Sequence, residues 1–160
     1  LNGYHGDYCY TFAVGTISEE KQLLVERTKE SLLHAIQVAV KGNTIGDVGH
    51  AVESYIKPFH YGVVRDLCGH GIGKNMHEKP DVPNYGKPGS GPKIIEGMVF
   101  CIEPMINLGT YQVKVDADQW TTRTVDGKPS AHFEHQVAIT AKGTEVLSTY
   151  QYVEEIINQE

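Results

Sequence analysis

Residues 68–80 read Cys-Gly-His-Gly-Ile-Gly-Lys-Asn-Met-His-Glu-Lys-Pro. Glycines at Gly69, Gly71 and Gly73 remove side chains from both flanks of His70, so the backbone there can take a positive φ or lie unusually close to a neighbour. His70 is thereby left facing a site. His77 supplies a second imidazole, and Pro80 stops any helix that would begin there. Taken alone, the stretch fits either a turn-rich loop with two surface histidines or a functional loop. A phosphate-binding glycine loop is disfavoured, because no Gly-Lys-Ser/Thr follows and no clean buried strand precedes it.

The rest of the chain sets bounds on that choice. Its 160 residues suffice for one domain with a real core. Hydrophobic content of 40% and charged content of 21% are ordinary globular values. A formal charge of −6 and a pI near 5.7 argue against a nucleic-acid or anionic-membrane surface, which would need a basic patch. No apolar run approaches the roughly 20 residues that cross a bilayer, and no signal peptide is evident. Three widely separated cysteines fit a reducing compartment better than a disulfide framework, so the expected location is the cytoplasm. The chain opens at Leu1 in what reads as the middle of a strand. The expectation is therefore a single domain over 1–160 that lacks its N-terminal portion.

Working outward, Leu1 to Val14 carries a turn dipeptide, Asn2-Gly3, and then strand-forming tyrosine, threonine and phenylalanine. Asp7 is out of character there, as an edge aspartate or as a carboxylate wanted for chemistry. Ser18 with Glu19 and Glu20 predicts a helix start. Leu24, Thr28, Leu32, Ala35 and Ala39, flanked by Val25, Leu33, Ile36 and Val40, form its apolar face as far as Gly42. Thr44 and Asp47 resemble a capping box for a second helix that stops before Pro58, with Val48, Val52, Tyr55 and Ile56 buried. His34, His50 and His60 are assigned no site role.

Residues 81–92 form a proline- and glycine-rich ordered loop. Met98 to Pro104 is nearly all apolar and predicts a buried strand ending in Glu103. A carboxylate at that position is costly unless a cation meets it, whether lysine, arginine or a metal ion. Two more strands, Trp120 to Thr124 and Ala131 to Thr140, are expected to pair through Asp126-Gly127. Period-two alternation puts Phe133, His135, Val137 and Ile139 on one face, and His132, Glu134, Gln136 and Ala138 on the other. A final strand runs from Gly143 to Ser148, and a polar tail from Tyr150 to Glu160.

Asp7, His70, Glu103 and Glu134 then form a set of one imidazole and three carboxylates. Three close carboxylates repel and raise one another's pKa unless divalent cations neutralise them. Nitrogen and carboxylate oxygen donors suit manganese, iron(II), cobalt or zinc, and shared carboxylates can bridge two ions. Separation along the chain does not by itself bring these residues together.

The segments Gly6-Asp7 with Thr11-Phe12, residues 68–73, His77-Glu78-Lys79-Pro80, Phe100 to Met105 containing Ile-Glu-Pro-Met, and Phe133-Glu134-His135 closely resemble type I methionine aminopeptidases, in the same order and over nearly the whole chain. The resemblance implies an α+β pita-bread fold, a curved antiparallel sheet flanked by helices, present here as its C-terminal larger part. It implies two divalent metal ions per full-length enzyme. It also implies removal of the N-terminal methionine from nascent polypeptides by a metal-activated water.

By the same resemblance Asp7 and Glu134 are bridging carboxylates, His70 a metal ligand, and Glu103 a ligand that also shuttles protons. His77 would contact the scissile carbonyl, and Trp120 and Met76 would line the methionine pocket. The family's further aspartate, eleven residues before the position of Asp7, would precede Leu1, so the 160-residue piece is expected to bind one ion at best with little activity. Implied partners are nascent chain N-termini and the ribosome, with the protein itself a monomer. Alternatives are another pita-bread metallohydrolase, such as a proline aminopeptidase or prolidase, and a non-catalytic binding module.

One expectation comes from spacing and not from the resemblance. Cys9, Cys68 and Cys101 each stand two residues from Asp7, His70 and Glu103 respectively, and on a strand such residues share a face. Cys9 and Cys101 are thus expected beside the metal site, or else to be small buried fillers.

Overall fold

The computed structural model describes residues 1–157. The chain begins with β1 (Tyr8–Cys9), followed by α1 (Glu19–Val38) and α2 (Ile45–Ile56). Short strands then alternate with loops: β2 (Gly62–Val63), β3 (Gly69–Gly71), β4 (Glu78–Val82), β5 (Val99–Ile102) and β6 (Met105–Asn107). After them come β7 (Val113–Val115), β8 (Thr122–Thr124), β9 (Ser130–His132), β10 (Glu134–Thr140), β11 (Gly143–Val146) and α3 (Gln151–Ile157).

Both long helices form where periodicity predicts them. Leu24, Thr28, Leu32, Ala35 and Ala39 are buried, whereas Leu33 in the flanking row is exposed, so the buried stripe of α1 is narrower than expected. Ser18 stands at the N-cap but makes no side-chain capping bond; its carbonyl accepts from Gln22 N–H instead. At α2 the Thr44/Asp47 capping box is fully formed, with both reciprocal bonds present. Val48, Val52 and Ile56 are buried, and Tyr55 stacks on His34 of α1.

The main sheet is antiparallel throughout, in the order β1-β10-β5-β3-β4, with β11 also paired to β10. Helices α1 and α2 pack on one face of it, where Phe100, Ile102, Val137 and Ile139 meet Leu32, Ala35, Val48 and Val52 in a single core. Each of these side chains larger than Ala35, fully withdrawn from water, contributes about 1.5–3 kcal/mol. Edge strand β4 contains Pro80, as an edge can accept, since no neighbour is there to miss its N–H.

Two expected features are corrected. The strand from Trp120 to Thr124 does not pair with the one from Ala131 to Thr140: β8 pairs with β7, and β9 pairs with β6 in a second sheet ordered β2-β6-β9. Asp126-Gly127 does form a turn, with Gly127 at φ 71°, but the chain leaving it crosses to another sheet. Likewise the opening segment pairs only at Tyr8–Cys9, although Asn2 and Gly3 both take positive φ, as their turn signal predicts.

The second correction positions the site. The expected strand Ala131–Thr140 is broken at Phe133, at the level where the strand from Met98 ends, as expected, at Glu103-Pro104 before β6 begins. Pro104 cannot donate to a ladder, and on either side of it β5 lies in the main sheet and β6 in the small one. Phe133 does the same for β9 and β10, its N–H reaching Pro104 O at 3.4 Å. Both glutamates therefore sit where the two sheets diverge. The C-terminal segment is also more ordered than a polar tail: Tyr150 is buried and α3 follows it, while 158–160 lie outside the described residues.

Candidate metal centre

Four neighbouring strands each bring one ligand-type side chain to this divergence. Asp7 immediately precedes β1, Glu134 opens β10, Glu103 directly follows β5, and His70 is the middle residue of β3. The register aligns them: Cys9 lies opposite Glu134, Cys101 opposite Gln136, and Phe100 opposite Gly71. Alternation then puts Asp7, Cys9, Glu134, Gln136, Cys101 and His70 on the sheet face away from the helices.

The glycines around His70 act through space and not through φ, since none of Gly69, Gly71 and Gly73 has a positive φ. A Cβ on Gly69 would lie 2.3 Å from Cys101 O, and one on Gly71 would lie 2.3 Å from Lys79 O. Bare backbone at these two positions lets β3 fit between β4 and β5.

Loops and one tyrosine fix the remaining members. His5 N–H donates to Gly73 O at 2.9 Å, and Asp7 N–H donates to Gln136 Oε1 at 3.2 Å, which tie the Asp7 segment to the sheet. The buried Asn84, from the proline-rich loop, donates to Glu103 O at 3.0 Å. Tyr150 Oη accepts from Glu134 N–H at 2.9 Å and lies 2.6 Å from the carbonyl oxygens of both Cys9 and Glu134, so it clamps β1 to β10.

Within the site His70 Nε2 lies 3.8 Å from Asp7 Oδ2 and 3.6 Å from Glu103 Oε1. Its Nδ1 lies 3.0 Å from Gly71 O, which can only accept, so Nδ1 donates there and Nε2 is the nitrogen turned to the carboxylates. Donor atoms of Asp7, His70, Cys101 and Glu134 all fall within 4.8 Å of one another. Glu134 is only 4% exposed, and its buried Oε1 has no hydrogen-bond partner among the described residues. Burial pushes the Glu134 carboxyl up to about 7; the charges of Glu103 and Asp7 add to this, against a hydrogen bond from Cys101.

An acidic group so placed fits a bound cation. The orphaned carboxylate oxygen and the crowding of Asp7, Glu103 and Glu134 are both resolved by one divalent ion, for which His70 Nε2 is in place as a nitrogen donor.

His77 lines the same cavity, of about 330 Å³, its ring edge-on to that of His70 with centroids 4.3 Å apart. Neither Met76 nor Trp120 is among the side chains lining it; Trp120 follows the β7–β8 turn and is 88% exposed. Sequence reasoning gave His132 no role, yet it lines this cavity and its Nε2 lies 3.5 Å from Glu103 Oε2 without forming a hydrogen bond. Its Nδ1 is 3.4 Å from Cys9 Sγ. Burial would lower the His132 pKa, but the contact with Cys9 and the negative charge of Glu103 outweigh it and raise the imidazole to about 10. The available signal was its place with Glu134 in the period-two alternation.

The sequence pattern of metallopeptidase family M24 matches residues 1–141. The chain belongs to that family. Methionine aminopeptidase of Clostridium acetobutylicum is 53% identical to this M24 chain over 148 residues, which cover 92% of the chain and 59% of the relative. For methionine aminopeptidase 1 of Bacillus subtilis the identity is 47%, covering 92% and 60%. Among solved structures, methionine aminopeptidase from Rickettsia prowazekii superimposes with a TM-score of 0.89 at 40% identity, covering 91% of this chain and 59% of that one. With its antiparallel α+β architecture, the M24 chain has the pita-bread fold expected from sequence. It spans about 59% of the length of these relatives. Membership of a metallopeptidase family implies divalent metal use, in keeping with the donor cluster. No helix among the described residues is long and apolar enough to cross a membrane.

Proposed function

We propose that the protein is a metal-dependent aminopeptidase acting on the N-terminal methionine of nascent polypeptides. The observation that carries the reading is the convergence of Asp7, His70, Glu103 and Glu134 from four adjacent strands, with His77 at the same cavity. In this proposal those four hold divalent metal, of which manganese, iron, cobalt and zinc all suit the donors. Such an ion supplies Lewis-acid polarisation of a carbonyl and acidification of water.

The side chains do the rest. Glu103, between His70 and His132, is placed to take a proton from water and return it to the leaving amine. His77 lines the cavity, and as a donor it would stabilise charge developing on a substrate carbonyl oxygen. His132 positions Glu103. A role for Met76 and Trp120 in holding the methionine side chain rests on the family resemblance alone. Action as a cytoplasmic monomer on chains emerging from the ribosome belongs to the same proposal.

Metal-loaded protein offered Met-Ala-Ser and Ala-Pro peptides separates this reading from a proline-directed one. Release of methionine from the first, with the second untouched, is the expected result; the reverse would replace the proposal.

A further inference from the structure

We propose that Tyr150 is a positioning residue of the metal centre: its hydroxyl fixes the spacing of β1 and β10, and so the spacing at which Asp7 and Glu134 can share an ion. The inference rests on the metal-centre reading above. It extends that reading to a side chain beyond residues 1–141, which the family pattern matches.

Along one edge β10 changes partner, from β11 at Val137–Thr140 to β1 at Glu134 and His135. The chain between β11 and α3 fills that changeover. Leu147 N–H donates to Gln136 O at 2.8 Å, and Gln136 N–H donates to Ser148 Oγ at 3.1 Å. Tyr150 Oη accepts from Glu134 N–H at 2.9 Å, with Cys9 O and Glu134 O each 2.6 Å away to take its one proton. Cys9 and Glu134 are partners in the register, so the hydroxyl bridges the pair that sets Asp7 against Glu134.

A packing role alone would not need this oxygen. The buried ring stacks on His135, with centroids 3.9 Å apart, and stands edge-on to Tyr10 and Phe133, a space that phenylalanine would fill. A buried hydroxyl is costly unless bonded, and its partners among the described residues are all backbone groups of Cys9 and Glu134. Glu154 N–H donates to Tyr150 O at 2.9 Å and Lys29 of α1 pairs with Glu154, so the tyrosine is also held from α3. Without the hydroxyl, Glu134 N–H and Cys9 O lose their bridge and the two carboxylates can drift apart. Coupling is reciprocal: the factor that docked Tyr150 adds to ion affinity is the factor that the ion adds to the docking of residues 147–157.

The test is cobalt(II) titration of wild type, Tyr150→Phe and Thr44→Ala. Tyr150→Phe keeps the ring and should bind cobalt about 10–100-fold more weakly than wild type, with an unchanged far-ultraviolet spectrum. Thr44→Ala removes the α2 capping box instead, and should lower the thermal midpoint while cobalt affinity stays at the wild-type value. Wild-type affinity in Tyr150→Phe, or equal weakening in both variants, would overturn the Tyr150 assignment and leave the metal centre standing. Because Tyr150→Phe could fold poorly, amide exchange on wild type is the second measurement. Saturating cobalt should slow exchange across residues 147–157 by a comparable factor, and no slowing there would overturn the assignment. Failure of wild type to bind cobalt at all would overturn both readings.

Discussion

His132 and Glu103 face each other across the divergence of the two sheets, Nε2 to Oε2 at 3.5 Å, while the other oxygen of Glu103 lies 3.6 Å from His70. Glu103 is thus held between two imidazoles, only one of which belongs to the candidate ligand set. Groups that orient a ligand in this way commonly contribute a factor of 10–100 to metal affinity or activity. His132→Ala should reduce either by about that factor. Equilibrium metal binding and steady-state kinetics on the same preparation measure it, and wild-type values for both would remove His132 from the account.

His77 should behave differently. Among the described residues it pairs with none of Asp7, Glu103 and Glu134 within ion-pair distance, so His77→Ala should leave metal content unchanged. Turnover should fall by roughly 10²–10³, the usual consequence of losing one donor to a developing oxyanion. Metal analysis beside kcat separates the two effects; loss of metal would make His77 a ligand.

The glycines of β3 yield a stability prediction with an internal control. Gly69→Ala and Gly71→Ala put a Cβ 2.3 Å from backbone carbonyl oxygens, which cannot move without breaking the sheet, so each should cost about 1–3 kcal/mol or more. At Gly73 the new Cβ meets only the Glu78 carboxylate, at 3.1 Å, and a side chain can yield. Gly73→Ala should therefore be the mildest of the three in denaturant titrations.

Neighbouring residues Glu134 and His135 should give opposite pH dependences in metal-free protein. Burial raises Glu134 from 4.5 to about 7, so the folded state binds the extra proton and stability falls as pH rises between those values. Burial lowers His135, stacked on Tyr150, from 6.5 to about 4, so the unfolded state binds the extra proton and stability rises with pH across that interval. Each contribution is about 3 kcal/mol, so between pH 4.5 and 6.5 they nearly cancel. Glu134→Gln should expose the rising limb and His135→Gln the falling one. Unchanged slopes in both variants would refute the assignment.

Much of this was legible before any coordinates. The two long helices follow from spacing that no tertiary contact overrides, and the α2 capping box is local chemistry. Glu103 was conspicuous because a carboxylate closing a buried run needs a counter-charge. Convergence of the four ligands came from the family resemblance. The end of one strand at Glu103 was read, but the sheet switch was hidden because Ala131 to Thr140 reads as one strand, and a break one residue long at Phe133 leaves no periodic trace. The β7–β8 pairing was missed because most of its residues are solvent-exposed, so no hydrophobic alternation marks it. Tyr150 looked like part of a polar tail, although its hydroxyl closes three backbone groups at the site.

Titration of metal-free protein with manganese or cobalt, on wild type, His70→Ala and Glu103→Ala in parallel, bears most directly on the centre itself. Tight binding to wild type, weakened by more than about 100-fold in each variant while the far-ultraviolet spectrum is unchanged, is the predicted result. Equal binding by all three proteins would mean that Asp7, His70, Glu103 and Glu134 share a cavity without sharing an ion.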